Sequence, residues 1–329
     1  MGKNINFEVG MTGTLVSVCM ITYGHEKFIE EAINSILMQQ CDFEVELIVA
    51  NDFSPDRTDE VIQRILNTHP KSSWIKYVKQ EKNIGMMPNM IAALQSAKGK
   101  YIAFCDGDDY WTDPLKLQKQ VDFLENNLTY SICWTKYRIL DQYVLKGVET
   151  FKKLEFNKGV YNVTLDSLFD PYVVHTSTCL FRNDINILVL SGLDHAKENT
   201  IYTLLLIKGG GAILDFESSV YRYHDGGVFS AKTELSKITE NYYNLKEINN
   251  VLLENKIPKL KQIESSFLNL MLFLAFTSSS KDLKKGGTIK NIYFEIIRSS
   301  PWKYKYLASK EILKQVYLRF RVGKISNEE

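Results

Sequence analysis

Short apolar runs alternate with amphipathic segments along the first part of the chain. Four apolar runs have the length and composition of buried strands: 15–21, 44–50, 75–78 and 101–105. Between and after them, apolar side chains recur at helical spacing, over about 27–40, around 61–66, over 89–97 and from Asp113-Pro114 to about 126. Strands and helices that alternate in this way predict βαβ units and a mainly parallel central sheet.

The remainder of the chain continues this pattern and then becomes helical. Apolar runs at 131–134 and 178–181 favour strands, and 200–207 favours a helix that the glycines at 209–211 end. From about residue 236 the pattern is helical nearly to the end. We therefore expect an α/β domain and an appended helical region, with these bounds: 1–235 for the domain, about 14–125 and 126–235 for its halves, and 236–329 for the helical region.

Composition indicates a globular protein with a basic C-terminal end. Of the 329 residues 45% are hydrophobic and 24% charged, which is ordinary for a soluble protein, and the net charge is +1. Residues 281–324 carry twelve Lys or Arg against three acidic residues. This region predicts either contact with an anionic membrane surface or an ordinary packed helix with charged edges.

The cysteines and the N-terminal segment bear on the compartment. The five cysteines are scattered without a CxxC pair, which favours a reducing compartment. Residues 1–13 lack the apolar stretch of a signal peptide. We expect a cytoplasmic protein, with peripheral attachment at the inner face of the plasma membrane as the alternative.

Residues 104–111, FCDGDDYW, place three carboxylates directly after the fourth predicted strand. Asp106 and Asp108, separated by the small Gly107, can converge on one point, and carboxylates held together raise a pKa unless a cation is present. Their oxygens suit Mg²⁺ or Mn²⁺, bridged to diphosphate oxygens rather than enclosed by protein ligands. The alternative is a solvated acidic turn or a helix N-cap.

Two other polar loops follow or flank predicted strands. Asn51-Asp52 can accept a hydrogen bond from a base or sugar, or can form an Asx-turn. Asn83-Ile84-Gly85 can offer amide and backbone N–H groups to a ligand, or can cap the next helix. In a parallel sheet the loops after the strands meet at one edge, where ligands bind.

Together these segments resemble the family 2 glycosyltransferases, inverting enzymes with the nucleotide-sugar-binding fold called GT-A. The resemblance is dense from about residue 15 to 124, weaker to about 230, and gives no guidance beyond. Four segments carry it in the correct order: VSVCMITYGHEKFIEEAINSI, ELIVANDFSPDRT, NIGMMPNMIAAL and GKYIAFCDGDDYWTDPLKLQKQVDFL. Four ordered motifs are specific, whereas any one of them matches often by chance.

The resemblance implies a metal-dependent transfer of a sugar from a nucleotide diphosphate sugar, a UDP-sugar above all. The implied acceptor is a hydroxyl of a glycan or lipid-linked molecule, the product a bacterial surface glycan, and the cofactor Mn²⁺ or Mg²⁺, with no nucleic acid partner. Asp52 would face the base, Asp106 the ribose, and Arg222 the phosphates. The full implied donor-binding set is Thr22, Tyr23, His25, Asp52, Asn83, Asp106, Gly107 and Arg222, and the implied metal ligands are Asp108 and His224. For His224 a structural role is the alternative.

The position of the general base departs from the family pattern. The family usually has the Asp of a Glu-Asp or Gly-Asp pair before the helix that leads to a late YRxHxGG-type segment, here YRYHDGG at 221–227. This chain has Glu198-Asn199 there, and an amide cannot accept a proton usefully at neutral pH. Glu198 would then serve as the base, unless the site is impaired at Asn199 or the alignment is shifted to Asp194 or His195.

Two other function classes stay open at this stage. A sugar nucleotidyltransferase can use a similar acidic pair, but would carry a Gly-rich basic phosphate loop after the first strand, which Thr22-Tyr23-Gly24-His25 is not. A non-catalytic sugar-nucleotide-binding protein is the other class, because Asn199 stands where the base is expected.

Overall fold

A computed structural model of the chain describes residues 14–169, 173–224, 226–227 and 232–258. These residues belong to two compact units that divide between residues 225 and 226. The predicted bounds 1–235 and 236–329 stay predictions, because most of the second region lies outside the described residues.

The described part of the first unit is an α/β structure built on a single large sheet. Its strands are β1 Thr14–Thr22, β2 Glu44–Asn51, β3 Ile75–Lys79, β4 Tyr101–Phe104, β5 Tyr110–Trp111, β6 Tyr130–Asp141, β7 Val144–Gly147, β8 Val160–Val163, β9 Leu180–Arg182 and β10 Gly210–Tyr223. Its α-helices are α1 Ile29–Leu37, α2 Thr58–Thr68, α3 Met86–Ser96, α4 Lys116–Asn126, α5 Ile187–Ser191 and α6 Glu198–Lys208.

The strand order along the sheet is β3-β2-β1-β4-β9-β6-β10-β5. β1 pairs in parallel with β2 and with β4, and β2 pairs in parallel with β3, so the half predicted from βαβ spacing is confirmed. The second half is mixed, because β9 runs antiparallel to both of its neighbours while β10 runs parallel to β6. β7 and β8 are short additional strands on β6 and β10.

Alternating side chains of the strands fill two cores on opposite faces of the sheet. Val18 and Leu47 pack in the core that includes α1, α2 and α4, whereas Cys19 and Ile48 pack in the core that includes α3 and α6. A strand buried on both faces carries continuous apolar residues, which is why β1 and β2 were recognisable from the sequence.

Helix α3 begins three residues earlier than the predicted start at Asn89. Pro88 lies in its first turn, where backbone N–H groups have no partner inside the helix, so a proline is tolerated there. The backbone N–H of Asn89 donates to the carbonyl oxygen of Gly85 at 3.0 Å, which closes the first turn. Gly85 has φ +91°, a conformation that favours glycine and directs the chain into the helix.

A buried carboxylate near the amino end of β2, that of Glu46, contacts three other segments of the chain. Glu46 accepts hydrogen bonds from the Ser17 hydroxyl and the Lys98 backbone N–H, and pairs with Lys76. Burial alone would raise the pKa of Glu46, but the hydrogen bonds from Lys76, Ser17 and Lys98 lower it below its ordinary value of 4.5.

Glu46 is therefore expected to make the free energy of unfolding depend on pH. A lowered folded-state pKa contributes stability above about pH 4.5, and this contribution is lost as the pH falls through the folded-state value. Urea unfolding from pH 7 to pH 3 should show that the wild type loses more free energy of unfolding than Glu46→Gln. Parallel pH profiles for the two proteins would contradict this expectation.

The second unit contributes the helix α7, Glu234–Glu254, to the described residues. Its start agrees with the helical pattern expected from about residue 236, and the Thr233 side chain caps it by accepting from the Ser236 backbone N–H. In the part of the chain that the structure covers, no helix is both long and apolar enough to cross a bilayer. The basic region at 281–324, with its predicted membrane contact, lies outside the described residues.

Candidate functional site

The loops after β1, β2 and β4 meet at one edge of the sheet, because these three strands are parallel. The Asp52 backbone N–H donates to the carbonyl oxygen of Thr22, and that of Gly107 donates to the carbonyl oxygen of Ile21, both at 2.9 Å. The convergence expected from the strand pattern is therefore confirmed. It brings the loop 106–109 beside the end of β1.

The three carboxylates of this loop have different environments. Burial raises the pKa of Asp106 well above its ordinary range, and the charges of Asp108 and Glu198 add to this effect. Asp106 Oδ1 is shielded from solvent and has no hydrogen-bond partner within the protein. Burial, followed by the charges of Asp108 and Asp106, likewise raises the pKa of Asp109.

Asp108 lies between two histidines and favours its charged form. Its Oδ2 is 3.2 Å from His224 Nε2 and 3.5 Å from His25 Nε2. Burial alone would raise the pKa of Asp108, but the hydrogen bond from His224 and the charges of both histidines lower it overall. For His25, burial lowers the pKa more than the neighbouring carboxylate raises it.

Asp109 and Arg222 tie the acidic loop to the end of β10. The Arg222 backbone N–H donates to Asp109 Oδ1 at 3.0 Å, and Arg222 Nη1 donates to the carbonyl oxygen of Asp108 at 2.7 Å. The Arg222 side chain also pairs with Glu31 on α1 and stacks over the Tyr110 ring, 4.4 Å from its centroid. Arg222 is 8% exposed. Its role toward phosphates stays a prediction, and its observed contacts hold the loop in place.

Gly107 packs against the end of β1 so closely that a side chain would not fit. A Cβ atom at this position would lie 2.7 Å from Thr22 Oγ1, 2.8 Å from Thr22 Cβ and 3.0 Å from His25 Nδ1. Thr22 Oγ1 and His25 Nδ1 are buried and have no hydrogen-bond partner within the protein. The glycine of the motif thus permits contact between the acidic loop and β1.

Gly107→Ala is expected to lower both thermal stability and affinity for a nucleotide. The added methyl group must displace either β1 or the acidic loop, and overpacking of this kind costs about 1–3 kcal/mol. Gly147→Ala is the matched control, because a Cβ there would meet no atom within 4 Å. Calorimetric melting and UDP titration should give a loss for Gly107→Ala alone, and equal behaviour of the two variants would count against the close packing.

The structure gives Asp52 a local role that the sequence did not predict. Asp52 is 4% exposed, and its two oxygens accept from the backbone N–H groups of Ile84 at 2.7 Å and Gly85 at 2.9 Å. The carboxylate therefore holds the loop that carries the exposed Asn83. The contacts of Asp52 and Asn83 with a base stay predictions.

Asn51 forms the turn that was the alternative interpretation of Asn51-Asp52. Its Oδ1 accepts from the Ser54 backbone N–H at 2.9 Å and from the Ser54 hydroxyl at 2.7 Å. Its Nδ2 donates to the Tyr77 hydroxyl at 2.9 Å. Asn51 thus links the loop after β2 both to its own next turn, through Ser54, and to β3, through Tyr77.

The candidate bases lie at or before the start of α6. Glu198 is the first residue of this helix and is close enough to Asp106 for its charge to raise the pKa of that carboxyl group. Asn199 is 8% exposed, and its side-chain Oδ1 is buried without a hydrogen-bond partner within the protein. Asp194 is exposed and His195 half-buried, both in the segment before the helix.

The residues present fit a divalent ion that the substrate also binds. Among the described residues, no group of three or more Asp, Glu, His or Cys side chains is arranged to hold a metal ion. Asp108 and His224 are in contact, however, and Mg²⁺ sites commonly use only one or two protein ligands plus substrate phosphates. Asp108 and His224 would be those ligands.

His175 is a buried neighbour of the acidic loop that the sequence did not single out. It lies between the rings of Tyr137 and Tyr221, with centroids 5.1 and 4.5 Å away, and its Nδ1 is 3.6 Å from Asp109 Oδ2. Burial lowers its pKa to about 4. A lone His within 173–177 carries no signal in the sequence, because its partners come from distant strands.

Comparison of the chain with known proteins shows the family to which it is similar. The profile of Glycosyl transferase family 2 matches residues 17–185, just over half of the chain. A Mycobacterium tuberculosis H37Rv protein of uncharacterized function is 30% identical over 233 residues, which cover 68% of this chain and 64% of that protein. The chain therefore spans less than two thirds of the length of such relatives.

Solved structures have the same fold. Residues 1–349 of Staphylococcus aureus TarS in complex with UDP-GlcNAc match with a TM-score of 0.61 and 21% identity, over 89% of this chain and 84% of that chain. The mannosyltransferase PcManGT from Pyrobaculum calidifontis, in complex with GDP-Man and Mn²⁺, matches with a TM-score of 0.56 and 17% identity, over 94% of this chain and 83% of that chain. The expected GT-A fold is thereby confirmed.

Proposed function

Because the chain belongs to glycosyl transferase family 2, we propose that it transfers a sugar from a nucleotide diphosphate sugar to an acceptor hydroxyl, with inversion at the anomeric carbon. One observation carries the proposal. The acidic loop 106–109 lies at the carboxyl edge of the sheet, and the charge of Glu198, at the start of α6, raises the pKa of Asp106 in that loop. This arrangement supports the proposal, because a single displacement requires the donor and the base to lie near each other.

The donor proposed is a UDP-sugar, and the cofactor Mn²⁺ or Mg²⁺. TarS was solved with UDP-GlcNAc, and PcManGT with GDP-Man and Mn²⁺, so both nucleotides belong in a test. The acceptor proposed is a hydroxyl of a glycan or lipid-linked molecule. This last proposal rests on the family resemblance alone.

Glu198 is the proposed general base. Its carboxylate accepts the proton of the acceptor hydroxyl, while the oxygen forms a bond to the anomeric carbon and the bond from that carbon to the diphosphate oxygen breaks. Asn199 cannot accept this proton, because its side chain is an amide.

The acidic loop serves the donor. Burial raises the pKa of Asp106, and its carboxyl group can accept a hydrogen bond from a sugar or ribose hydroxyl. A divalent ion held by Asp108 and His224 would neutralise the charge that develops on the leaving nucleoside diphosphate. His25 flanks Asp108, and burial lowers the pKa of its imidazole.

Incubation with UDP-, GDP- and dTDP-sugars and Mn²⁺ tests the proposal. Release of a nucleoside diphosphate that depends on an added glycan or lipid-linked acceptor is the expected result. Pyrophosphate chemistry would instead indicate a sugar nucleotidyltransferase. Binding without release would indicate a non-catalytic sugar-nucleotide-binding protein, and either outcome would overturn the proposal.

A further inference from the structure

The end of β10 carries an exposed aromatic side chain between two residues that contact the acidic loop. Arg222 donates from its backbone N–H to Asp109 Oδ1, and from Nη1 to the carbonyl oxygen of Asp108. His224 Nε2 lies 3.2 Å from Asp108 Oδ2. Tyr223 stands between Arg222 and His224 in the chain and is 46% exposed. The backbone from which its ring extends is therefore held beside the acidic loop.

The alternation of side chains along β10 places Tyr223 on the face of the sheet that carries α6. Arg222 lies on the opposite face, where it pairs with Glu31 of α1. Tyr221, two residues before Tyr223, packs against the core that includes α6. Residues i and i+2 of a strand share a face. Tyr223 is therefore on the same face as the helix that begins with Glu198, the proposed base.

Tyr223 belongs to a row of residues that crosses three strands at the carboxyl edge. It is opposite Asp141 of β6, which in turn is opposite Val144 of β7. Val144 is 57% exposed, and the half-buried Asp141 accepts a hydrogen bond from Lys146 Nζ at 2.7 Å. Residues that are opposite each other on neighbouring strands share a face. The exposed ring thus has an apolar side chain and an ion pair on its own face of the sheet.

This combination fits a sugar ring of the acceptor. A pyranose has a face of C–H groups, which packs on the electron-rich face of an aromatic ring. Its hydroxyl groups lie around the rim of the ring, where charged side chains can form hydrogen bonds with them. Single exposed apolar or aromatic side chains are ordinary on protein surfaces, so the argument depends on where this ring lies.

The position of Tyr223 agrees with the place that the acceptor has to occupy. The acceptor hydroxyl must reach both the base and the anomeric carbon of the donor, so it lies on the α6 face beside the acidic loop. We propose that Tyr223 is the stacking platform for the acceptor's sugar ring, with Asp141 and Lys146 as partners of its hydroxyl groups, an inference that rests on the proposed function. In the segment YRYHDGG, Tyr223 occupies the position that the pattern YRxHxGG leaves open, so a residue here can serve the acceptor of this chain.

Acceptor-dependent release of a nucleoside diphosphate tests the inference with two variants and a control. Tyr223→Ala removes the ring, and Tyr223→Phe keeps it. Tyr143→Ala removes another tyrosine, 98% exposed at the turn between β6 and β7. The acceptors are methyl glycosides of glucose, galactose, mannose and N-acetylglucosamine, and the same sugars linked to a prenyl diphosphate. The assay contains Mn²⁺ and the nucleotide sugar that the wild type uses, and melting temperatures and UDP affinities are measured for all proteins.

A stacking platform predicts that Tyr223→Ala raises the KM for the acceptor about tenfold, for the methyl glycoside and for the prenyl-linked form of the same sugar. Its UDP affinity and its rate of donor hydrolysis without an acceptor should stay within about twofold of the wild type. Tyr223→Phe and Tyr143→Ala should stay within about twofold of the wild type in every measurement, because both keep the ring at position 223.

Four results would overturn the inference. They are an unchanged KM for the acceptor in Tyr223→Ala, an equal loss of UDP affinity, a loss confined to the prenyl-linked acceptors, and a wild type that hydrolyses a nucleotide sugar but uses none of these acceptors. The second would indicate a role toward the donor, and the third a contact with lipid rather than with the sugar. A wild type that neither binds nor hydrolyses any nucleotide sugar would overturn the proposed function itself, which is a separate result.

Discussion

Asp108→Ala should weaken the Mn²⁺-dependent binding of UDP about 100-fold. Asp108 keeps its negative charge at the centre of the acidic loop, because His224 and His25 lower its pKa against the effect of burial. Loss of one partner of a desolvated charge interaction costs about 2–5 kcal/mol. Calorimetric titration of UDP with and without Mn²⁺ measures the effect, and the variant should bind UDP almost equally in both conditions.

Asp122→Ala is the matched control for the loss of an acidic residue. Asp122 is exposed on α4, where its side chain accepts from Gln118 one turn earlier. It should leave the UDP affinity and its dependence on Mn²⁺ unchanged. If Asp108→Ala behaved like this control, Asp108 would not be a ligand of the ion, and the assignment of the acidic loop to the diphosphate would be wrong.

Glu198→Gln should lower kcat by about 10²–10⁴-fold, the usual contribution of a general base, and leave the affinity for UDP within twofold. The reason is that glutamine keeps the shape of the side chain but cannot accept the acceptor's proton. Steady-state measurement of nucleoside diphosphate release gives kcat, and calorimetric titration gives the affinity for UDP. Glu60→Gln, an exposed change on α2, controls for the loss of a carboxylate.

The double variant Glu198→Gln/Asn199→Asp separates the two candidate base positions. If residue 199 occupies the place where the family's aspartate acts, the new carboxylate should restore part of the lost rate. Should Glu198→Gln retain full kcat, Glu198 would not be the base, and the exposed Asp194 or the half-buried His195 would have to be tested instead.

The first half of the fold was predictable, because its strands are buried on both faces. The apolar runs of β1 and β2 and the helical spacing of α1 and α2 lie within a few residues of the observed elements. β5, β7 and β8 were not predicted. These strands have two to four residues each and pair antiparallel with β10 or β6, so no local periodicity identifies them.

The site was predictable where it follows strand ends, and not where it depends on contacts between distant segments. The convergence of Asp106, Asp108 and Thr22 at one edge of the sheet was predictable, because parallel strands bring their ends together. The Arg222–Glu31 pair joins residues 191 positions apart, so no sequence pattern indicates that this arginine holds the acidic loop. The same holds for Asp52, whose partners are backbone N–H groups of a later loop.

Phe53, which follows Asp52, has φ +60°, and the sequence shows its residue type but not this backbone conformation. Asn51 forms the Asx-turn that was one of the two interpretations of Asn51-Asp52, yet a left-handed phenylalanine cannot be inferred from the letters NDFS. Only φ and the exposed fraction of the ring distinguish it from an ordinary loop residue.

A crystal structure of the protein with UDP and Mn²⁺, with anomalous data that locate the manganese, tests the account most directly. We expect the anomalous peak beside the Asp108 carboxylate and His224, the diphosphate next to it, and the uracil at the loops that follow β1 and β2. A manganese ion or a nucleotide bound elsewhere on the protein would contradict the account.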